Sequence, residues 1–246
     1  MDEIERKMYS IICRNDGIKA REIAREIGVE RKDINRLLYN SPFIRELCYR
    51  DEEYYWHGLI RQARPHVGLE DFCGYYGRVD RFLSQDEDEW LAELKKGCRS
   101  IGRNLNDTRG LIHSFLDSRM VMIQLFEDLA SLDTASWEIC FELRIKKARF
   151  IRIYADVLII TEDKVFSLEF KMKDKMDPEE QKQAVKYSRY MDIIFGEKYE
   201  VIPALVLTKA RDLYTWQQLP GSTAELPVSS GDMLFNLFDE FIGFLG

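Results

Sequence analysis

One stretch in the middle of the sequence, residues 152–173, restricts the fold more than any other: RIYADVLIITEDKVFSLEFKMK. Its first arm, Ile151 to Thr161, is rich in Ile, Val and Tyr and is apolar on both faces. Its second arm, Lys164 to Lys173, alternates between apolar and polar side chains, as a half-buried strand does. The polar pair Glu162–Asp163 separates the two arms. The pattern therefore predicts a β-hairpin that bends at this pair.

A symmetric hairpin about that bend places two carboxylates face to face. Residues whose numbers sum to 325 then pair, so Asp156 falls opposite Glu169. Directly opposed side chains lie roughly 4.5–5.5 Å apart, and like charges at such positions are destabilising. An unpaired carboxylate in an apolar strand is also costly. A divalent cation between the carboxylates removes both costs, and Mg²⁺ suits such a site because it takes oxygen ligands and keeps several waters.

Polar residues next to this pair extend the predicted site. Lys171 projects from the same strand face as Glu169, where an ammonium group can orient a water or stabilise a phosphoryl oxygen. The next segment, DPEEQKQAVKYSRYMDIIF, begins like a helix, with Asp177 as cap and proline at the first position. Gln183 and Tyr187 are four residues apart in it, so they share one helix face.

Together, Asp156 and the tripeptide Glu169-Phe170-Lys171 resemble the signature of the PD-(D/E)xK nuclease superfamily. The QxxxY helix that follows resembles the RecB-like and Cas4-like branch. The resemblance covers about residues 111–208, and Ala155 stands where the signature often has proline. It implies an α/β fold with a restriction-endonuclease-like α/β/α core around a mixed sheet, in which residues 111–246 form the nuclease domain.

The resemblance also implies roles for individual side chains. Asp156 and Glu169, with the Phe170 carbonyl, would bind one or two Mg²⁺ or Mn²⁺ ions. Lys171 would position or activate the attacking water, and two helix residues, Gln183 and Tyr187, would support the site.

A third metal-binding carboxylate has two candidates in the sequence. Glu127 lies near the end of a helix predicted over Leu111–Ala130, where nucleases of this type carry a metal-binding glutamate. Glu142 lies on an alternating strand, Trp137–Ile145, and faces the metal if that strand pairs with the one that carries Asp156. The sequence leaves both candidates open.

Residues 1–60 are typical of a winged helix-turn-helix. Three helices are predicted at Glu3–Arg14, Ala20–Ile27 and Arg31–Tyr39, and two strand-like runs at Ile44–Tyr49 and Tyr54–His57 predict a wing. The third helix and the wing resemble the Zα type of winged helix, although its prolines before the tryptophan are absent. The resemblance implies nucleic-acid contact, with protein interaction as the alternative, through Lys32, Asn35, Arg36, Tyr39 and Trp56.

The densest basic stretch of the chain, Arg144–Arg152, leads into the strand of Asp156. It is either a solvated turn or a phosphate contact made by Lys146, Lys147 and Arg149. Residues 61–110 are interpreted as a helical connector, and Leu219–Ser230 as a Pro/Gly/Ser loop. The amphipathic helix predicted at Met233–Leu245 either docks on the core or forms a contact in a homodimer or larger complex.

Composition limits the remaining possibilities. A net charge of −7 argues against coating nucleic acid through bulk charge but allows a local basic track. No apolar run approaches a membrane span, and the first residues lack a signal-peptide pattern. Five scattered cysteines without CxxC favour a reducing cytoplasm over a zinc site or a disulfide framework.

The sequence therefore predicts a cytoplasmic, Mg²⁺- or Mn²⁺-dependent deoxyribonuclease of defence or repair. RNA remains an alternative substrate. The rival hypothesis is a non-catalytic DNA-binding regulator or assembly protein built on a degenerate nuclease fold.

Overall fold

The structure is a computed structural model, and two compact units make up the chain. One unit comprises residues 1–68 and 144–154, and the other comprises 69–143 and 155–246. The structure describes the following residues: 3–15, 17–51, 53–58, 69–105, 108–147, 152–195, 198–219 and 225–243. Within these residues no helix is long and apolar enough to cross a membrane.

The first unit contains four helices and a two-stranded wing among its described residues. The helices are α1 (Glu3–Arg14), α2 (Ala20–Ile27), α3 (Arg31–Asn40) and α4 (Pro42–Leu47). The strands β1 (Cys48–Arg50) and β2 (Trp56–Gly58) pair in antiparallel fashion. The core is formed by buried side chains from all four helices, among them Met8, Ile12, Ile23, Ile34, Leu38, Ile44 and Leu47.

One part of the predicted wing is corrected by this arrangement. Residues 44–47, expected to be strand, belong to α4 because Ser41 and Pro42 start a helix there. The Ser41 hydroxyl accepts a hydrogen bond from the Ile44 amide at 3.3 Å, and proline fits the first turn. The paired strands of the wing are therefore shorter than the sequence pattern predicts.

The second unit is organised around a seven-stranded sheet. The strands are β3 (Tyr75–Arg78), β4 (Glu138–Lys147), β5 (Arg152–Ile160), β6 (Lys164–Lys171), β7 (Glu200–Leu207), β8 (Tyr214–Gln218) and β9 (Glu225–Ser230). Their order in the sheet is β3-β4-β5-β6-β7-β9-β8.

In the described part of this unit, five α-helices accompany the sheet. Helices α5 (Val79–Ser84), α6 (Glu87–Ser100) and α7 (Thr108–Asp128) lie between β3 and β4 in the chain. Helix α8 (Pro178–Phe195) follows β6, and helix α9 (Phe235–Ile242) follows β9.

The central hairpin has the predicted register. Val157 pairs with Leu168 and Ile160 with Val165 in the antiparallel β5–β6 ladder. Strand β6 then runs parallel to β7, and β7 runs parallel to β9, so the sheet is mixed. The predicted α/β class with a mixed sheet is confirmed.

Helices cover both faces of the central strands. Phe166, Leu168 and Phe170 of β6 lie in one apolar cluster with α7 and α9, where the rings of Phe166 and Phe238 stack at 4.1 Å. On the opposite face, Ala184 of α8 packs with buried side chains of β7 and β9. The apolar face of α9, expected to dock or to dimerise, therefore packs on the core through Leu237 and Phe238.

Two further expectations differ from the structure. Residues 69–105 and 108–110, the described part of the expected helical connector, belong to the second unit, where β3 pairs with β4. The expected loop at Leu219–Ser230 contains β9, which pairs with β8 in antiparallel fashion and with β7 in parallel fashion. Buried Leu226 and Val228 explain why this segment joins the sheet despite its loop-like composition.

Candidate active site

The two hairpin carboxylates lie next to each other at the middle of the sheet. Val157 pairs with Leu168, and Asp156 and Glu169 are the next residue on each strand. Continued by one residue, the observed register therefore places Asp156 opposite Glu169, as predicted. Oδ2 of Asp156 accepts a hydrogen bond from the Phe170 amide at 2.9 Å, which fixes the orientation of the carboxylate. Glu169 is 1% exposed. Glu169 is therefore held out of water, whereas Asp156 beside it on the strand pair is partly buried.

Burial dominates the electrostatics of this pair. Burial, followed by the negative charge of Asp156, raises the pKa of Glu169 well above its usual value. Burial also raises the pKa of Asp156, against the opposing effects of the Lys171 ammonium and the Phe170 amide. Groups with such shifts are concentrated at functional sites, and a bound cation would reverse the shifts.

Lys171 supplies a positive charge to the pair. Its Nζ lies 3.7 Å from Oε2 of Glu169, and its side chain is 19% exposed. The ammonium group therefore reaches both the buried carboxylate and solvent, as a residue that contacts a substrate must.

Helix α8 contributes the predicted Gln183 and Tyr187. Nε2 of Gln183 lies 3.4 Å from Oε2 of Glu169 and donates to the Tyr187 hydroxyl at 3.0 Å. Burial and then the charge of Glu169 raise the pKa of Tyr187 to about 12. The QxxxY pair thus holds Glu169 from the side opposite the apolar core.

Glu142 is the third acidic residue of this site, and it has its own counter-ion. Its Oε2 lies 2.8 Å from Nε of Arg103, and its Oε1 lies 3.5 Å from Nη2 of the same guanidinium. Burial, then the nearby charge of Asp156, raises the pKa of Glu142 to about 8, while Arg103 opposes this rise. The charge of Glu142 also contributes to the raised pKa of Glu169.

Local backbone geometry brings Glu142 and Arg103 together. Glu142 has a φ of 59° inside β4, a left-handed conformation that is uncommon for residues other than glycine and that is concentrated at functional sites. Helix α6 ends at Ser100, Gly102 follows it with a φ of 74°, and the Arg103 amide donates a hydrogen bond back to the Cys98 carbonyl at 2.8 Å. This glycine-terminated cap directs the chain so that Arg103 follows the helix end.

A close backbone approach completes this placement. A Cβ added to Gly97 would lie 2.0 Å from the carbonyl oxygen of Gly74, and one added to Gly74 would lie 3.2 Å from Cβ of Glu142. Only glycine allows α6 to lie so close to the start of β3. The contact of two glycines thus sets the distance between the end of α6 and Glu142.

The other candidate, Glu127, lies exposed near the end of α7. The structure thus brings Glu142, and not Glu127, into electrostatic contact with the hairpin acids. The Phe170 ring is buried in the core, and its amide bonds to Asp156. The sequence does not indicate Arg103, because its stretch has only a polar, turn-like composition.

The donor set fits a hard divalent cation with two protein ligands. Where residues are described, no group of three or more His, Cys, Asp or Glu side chains could hold a metal ion. Mg²⁺ needs only one or two carboxylates because it retains waters. Oε1 of Glu169 is buried without a hydrogen-bond partner in the described part of the chain, which is costly unless a ligand binds there.

The first unit carries a separate basic and aromatic cavity of about 200 Å³. Nη1 of Arg50 donates to the Tyr39 hydroxyl at 2.6 Å, and its guanidinium lies 4.7 Å from the Tyr54 ring centroid. The rings of Tyr39 and Trp56 meet edge to face at 5.5 Å. The cavity is lined by Lys19, Ala20, Arg21, Arg31, Asn35, Tyr39, Arg50, Tyr54 and Trp56.

Three of the five residues predicted to contact nucleic acid line this cavity: Asn35, Tyr39 and Trp56. Lys32 and Arg36 lie exposed on α3, and Arg36 is 3.7 Å from Asp33. Among the predicted phosphate contacts, Arg149 and the side chains of Lys146 and Lys147 lie outside what the structure describes. The sequence did not indicate Arg50, although its wing position places it beside Tyr39.

Comparisons with known proteins identify no family for this chain. No family model matches the sequence, and no curated protein matches it. Among solved structures, protein VC1899 from Vibrio cholerae is similar with 12% identity and a TM-score of 0.27. The alignment covers 96% of this chain and 49% of that protein, so the chain spans about half its length. A similarity at this level supports no conclusion about fold or function.

Proposed function

We propose that the protein is a Mg²⁺- or Mn²⁺-dependent nuclease that hydrolyses phosphodiester bonds in DNA. The observation that supports this proposal most directly is the pairing of Asp156 with the buried Glu169. Lys171 Nζ lies 3.7 Å from Oε2 of Glu169, and Glu169 Oε1 lacks a hydrogen-bond partner among the described residues. Metal-assisted phosphodiester hydrolysis requires carboxylate oxygens that can bind the metal ion and a cation that can contact the phosphate or the attacking water. The two acids and Lys171 supply these groups.

Asp156 and Glu169 would hold the divalent ion. When bound, such an ion supplies a water of lowered pKa and neutralises charge on the scissile phosphate. Lys171, partly exposed, would orient that water or donate to a phosphoryl oxygen as charge develops there. Gln183 and Tyr187 would keep Glu169 in place through the bonds already described.

The winged helix would bind the nucleic acid. Its cavity has four cationic side chains, Lys19, Arg21, Arg31 and Arg50, and no acidic side chain among those that line it. Tyr39 and Tyr54 are 49% and 65% exposed, so they present aromatic surface for sugar or base contact. This local basic surface is compatible with an acidic protein, because phosphate contacts depend on local charge.

The proposed setting of this nuclease is the cytoplasm. All five cysteines are buried and none forms a disulfide, which is compatible with a reducing compartment. A role in defence or repair belongs to the same proposal, and RNA is the alternative substrate.

Cleavage of circular single-stranded and double-stranded DNA tests the proposal directly. Reactions contain Mg²⁺, Mn²⁺ or EDTA, with wild type beside Glu169→Ala and Lys171→Ala. We expect metal-dependent linearisation by wild type and loss of at least about 100-fold in both variants. Cleavage that persists in Glu169→Ala would refute the assigned site.

The winged-helix cavity also favours the rival hypothesis of a non-catalytic DNA-binding regulator. Asp156→Ala separates the two. A nuclease loses cleavage in this variant and keeps DNA binding, whereas a regulator has no cleavage to lose and binds DNA equally well with EDTA present.

A further inference from the structure

Arg103 stands in an unusual position for a site that binds a cation. Its guanidinium lies 2.8 Å from Oε2 of Glu142, whose side chain is 5% exposed, while the arginine side chain itself is 27% exposed. The contact combines an ion pair between Nε and Oε2 at 2.8 Å with a long hydrogen bond from Nη2 to Oε1 at 3.5 Å. Exchange of the guanidinium for another cation at this carboxylate therefore breaks one ion pair and one hydrogen bond of weak geometry.

The charges around this pair explain why an arginine is needed. Glu142, Asp156 and Glu169 interact electrostatically, and each is mostly or fully shielded from water. Buried like charges cannot all ionise without compensation. Lys171 compensates Asp156 and Glu169, and Arg103 compensates Glu142 and, more weakly, Asp156.

A divalent ion in this cluster would change the balance. Three carboxylates with Lys171 and Arg103 sum to about one negative charge when all are ionised. An added dication makes the sum positive, so the guanidinium is then repelled from the site. Its partial exposure gives it room to leave towards solvent.

This inference rests on the proposed function. We propose that Arg103 is the counter-ion of Glu142 whenever that side chain is ionised in the metal-free protein, and that it competes with the divalent ion for the carboxylate. Metal binding displaces the guanidinium, and Glu142 then becomes the third acidic ligand. The arginine acts as a positioning residue, which keeps Glu142 apart from the Asp156–Glu169 pair until metal arrives. The finding that no three described acids could hold a metal ion is consistent with this arrangement.

Calorimetric titration of the full-length protein with MnCl₂ tests the proposal without any substrate. We compare wild type with Arg103→Met, which keeps side-chain length and removes the charge, and with Arg103→Lys, which keeps the charge. Arg99→Met, at an exposed arginine in the last turn of α6, is the matched control. Far-ultraviolet circular dichroism checks that every variant is folded.

We expect Arg103→Met to bind Mn²⁺ about tenfold more tightly than wild type, since one competing charge is gone. Arg103→Lys should fall between the two, and Arg99→Met should match wild type. The double variant Arg103→Met with Glu142→Gln should lose the gain, because the freed carboxylate is then absent. The double variant also remains informative if Arg103→Met fails to fold, since it leaves no uncompensated acid at position 142. Mn²⁺ affinity equal to that of the single variant Glu142→Gln supports competition for Glu142, whereas clearly tighter or clearly weaker binding overturns it.

Other outcomes separate this inference from the proposed function. Equal or weaker Mn²⁺ binding by folded Arg103→Met, with wild-type binding abolished in Glu169→Ala, overturns the competition and leaves the metal site intact. An absence of Mn²⁺ binding in every protein overturns both the competition and the metal-dependent nuclease. If Arg103→Met binds Mn²⁺ and wild type does not, the competition is supported, and Arg103 then prevents metal binding completely under these conditions.

Discussion

The amide nitrogen of Phe170 lies 2.9 Å from Oδ2 of Asp156, so the backbone of one hairpin strand binds the carboxylate of the other. This bond opposes the effect of burial on the pKa of Asp156. It also fixes the orientation of the carboxylate relative to Glu169. Asp156 therefore has two separable roles, one in the strand pairing and one in the proposed metal site.

Substitutions at Asp156 should separate those roles. Asp156→Asn keeps an oxygen that accepts from the Phe170 amide, so we expect the free energy of unfolding to stay within about 1 kcal/mol of wild type. Asp156→Ala leaves that amide without its partner and should cost about 1–3 kcal/mol. Urea denaturation measures both, and both variants should lose Mn²⁺ binding. Equal stability of the two variants would contradict the structural role of the bond.

The stability of the metal-free protein should depend on Glu142 between pH 5 and pH 8. The pKa of Glu142 is about 8 in the folded protein against 4.5 for the free side chain. The folded state then holds a proton that the unfolded chain has released, so this group's contribution to stability falls as pH rises across that range. Glu142→Gln should gain stability over wild type by at most about 1.4 kcal/mol per pH unit.

Urea denaturation in EDTA at pH 5, 6, 7 and 8 measures this difference. Since other titrating groups are common to both proteins, the difference between wild type and Glu142→Gln isolates this carboxyl. Parallel stability curves across the range would show that Glu142 is ionised in the folded state throughout.

The sequence predicted the hairpin and its register because strand alternation and a polar bend are local signals. It predicted the shared face of Gln183 and Tyr187 for the same reason. It left Glu127 and Glu142 open, since the choice depends on how α7 and β4 lie relative to the hairpin in the folded protein, which no local pattern indicates. Strand β9 was also missed, because its pairing with β7 and β8 overrides a Pro/Gly/Ser composition.

Arg103 is a harder case than any of these. Its position depends on the contact between Gly97 and Gly74, which belong to different elements and are far apart in the sequence. Such a contact follows from tertiary packing and has no signature in a single sequence. The same contact therefore gives a test of how the site is built.

Gly97→Ala should damage both the fold and the site. An added Cβ would lie 2.0 Å from the Gly74 carbonyl oxygen, which is backbone and cannot rotate away. We expect a loss of about 1–3 kcal/mol in thermal or urea unfolding, with a changed Mn²⁺ affinity because Arg103 follows the displaced helix end. Gly110→Ala is the control, since nothing lies within 4 Å of its added Cβ in α7. It should be neutral or stabilising by up to about 1 kcal/mol.

The bonds from Gln183 to Glu169 and Tyr187 predict energetic coupling on α8. We expect the single substitutions Gln183→Leu and Tyr187→Phe each to destabilise the protein by about 0.5–1.5 kcal/mol. The double variant should cost less than their sum, because each single change already breaks the 3.0 Å bond between them. Urea denaturation of wild type, the two single variants and the double variant gives the four unfolding free energies of this double-mutant cycle. Strict additivity would mean that the two side chains act independently.

The winged-helix cavity predicts how DNA binding depends on salt. Arg50 is held by Tyr39 and stacks near Tyr54, so its guanidinium is pre-oriented to contact a phosphate. Arg50→Ala should weaken binding to duplex DNA of any sequence and reduce the slope of log K against log salt by about 0.9. Arg25→Ala is the matched control, since this exposed arginine on α2 does not line the cavity. Fluorescence anisotropy with the cleavage-deficient Glu169→Ala background, in EDTA at several salt concentrations, measures both slopes. If both arginine variants change the slope equally, binding follows overall charge and not this cavity.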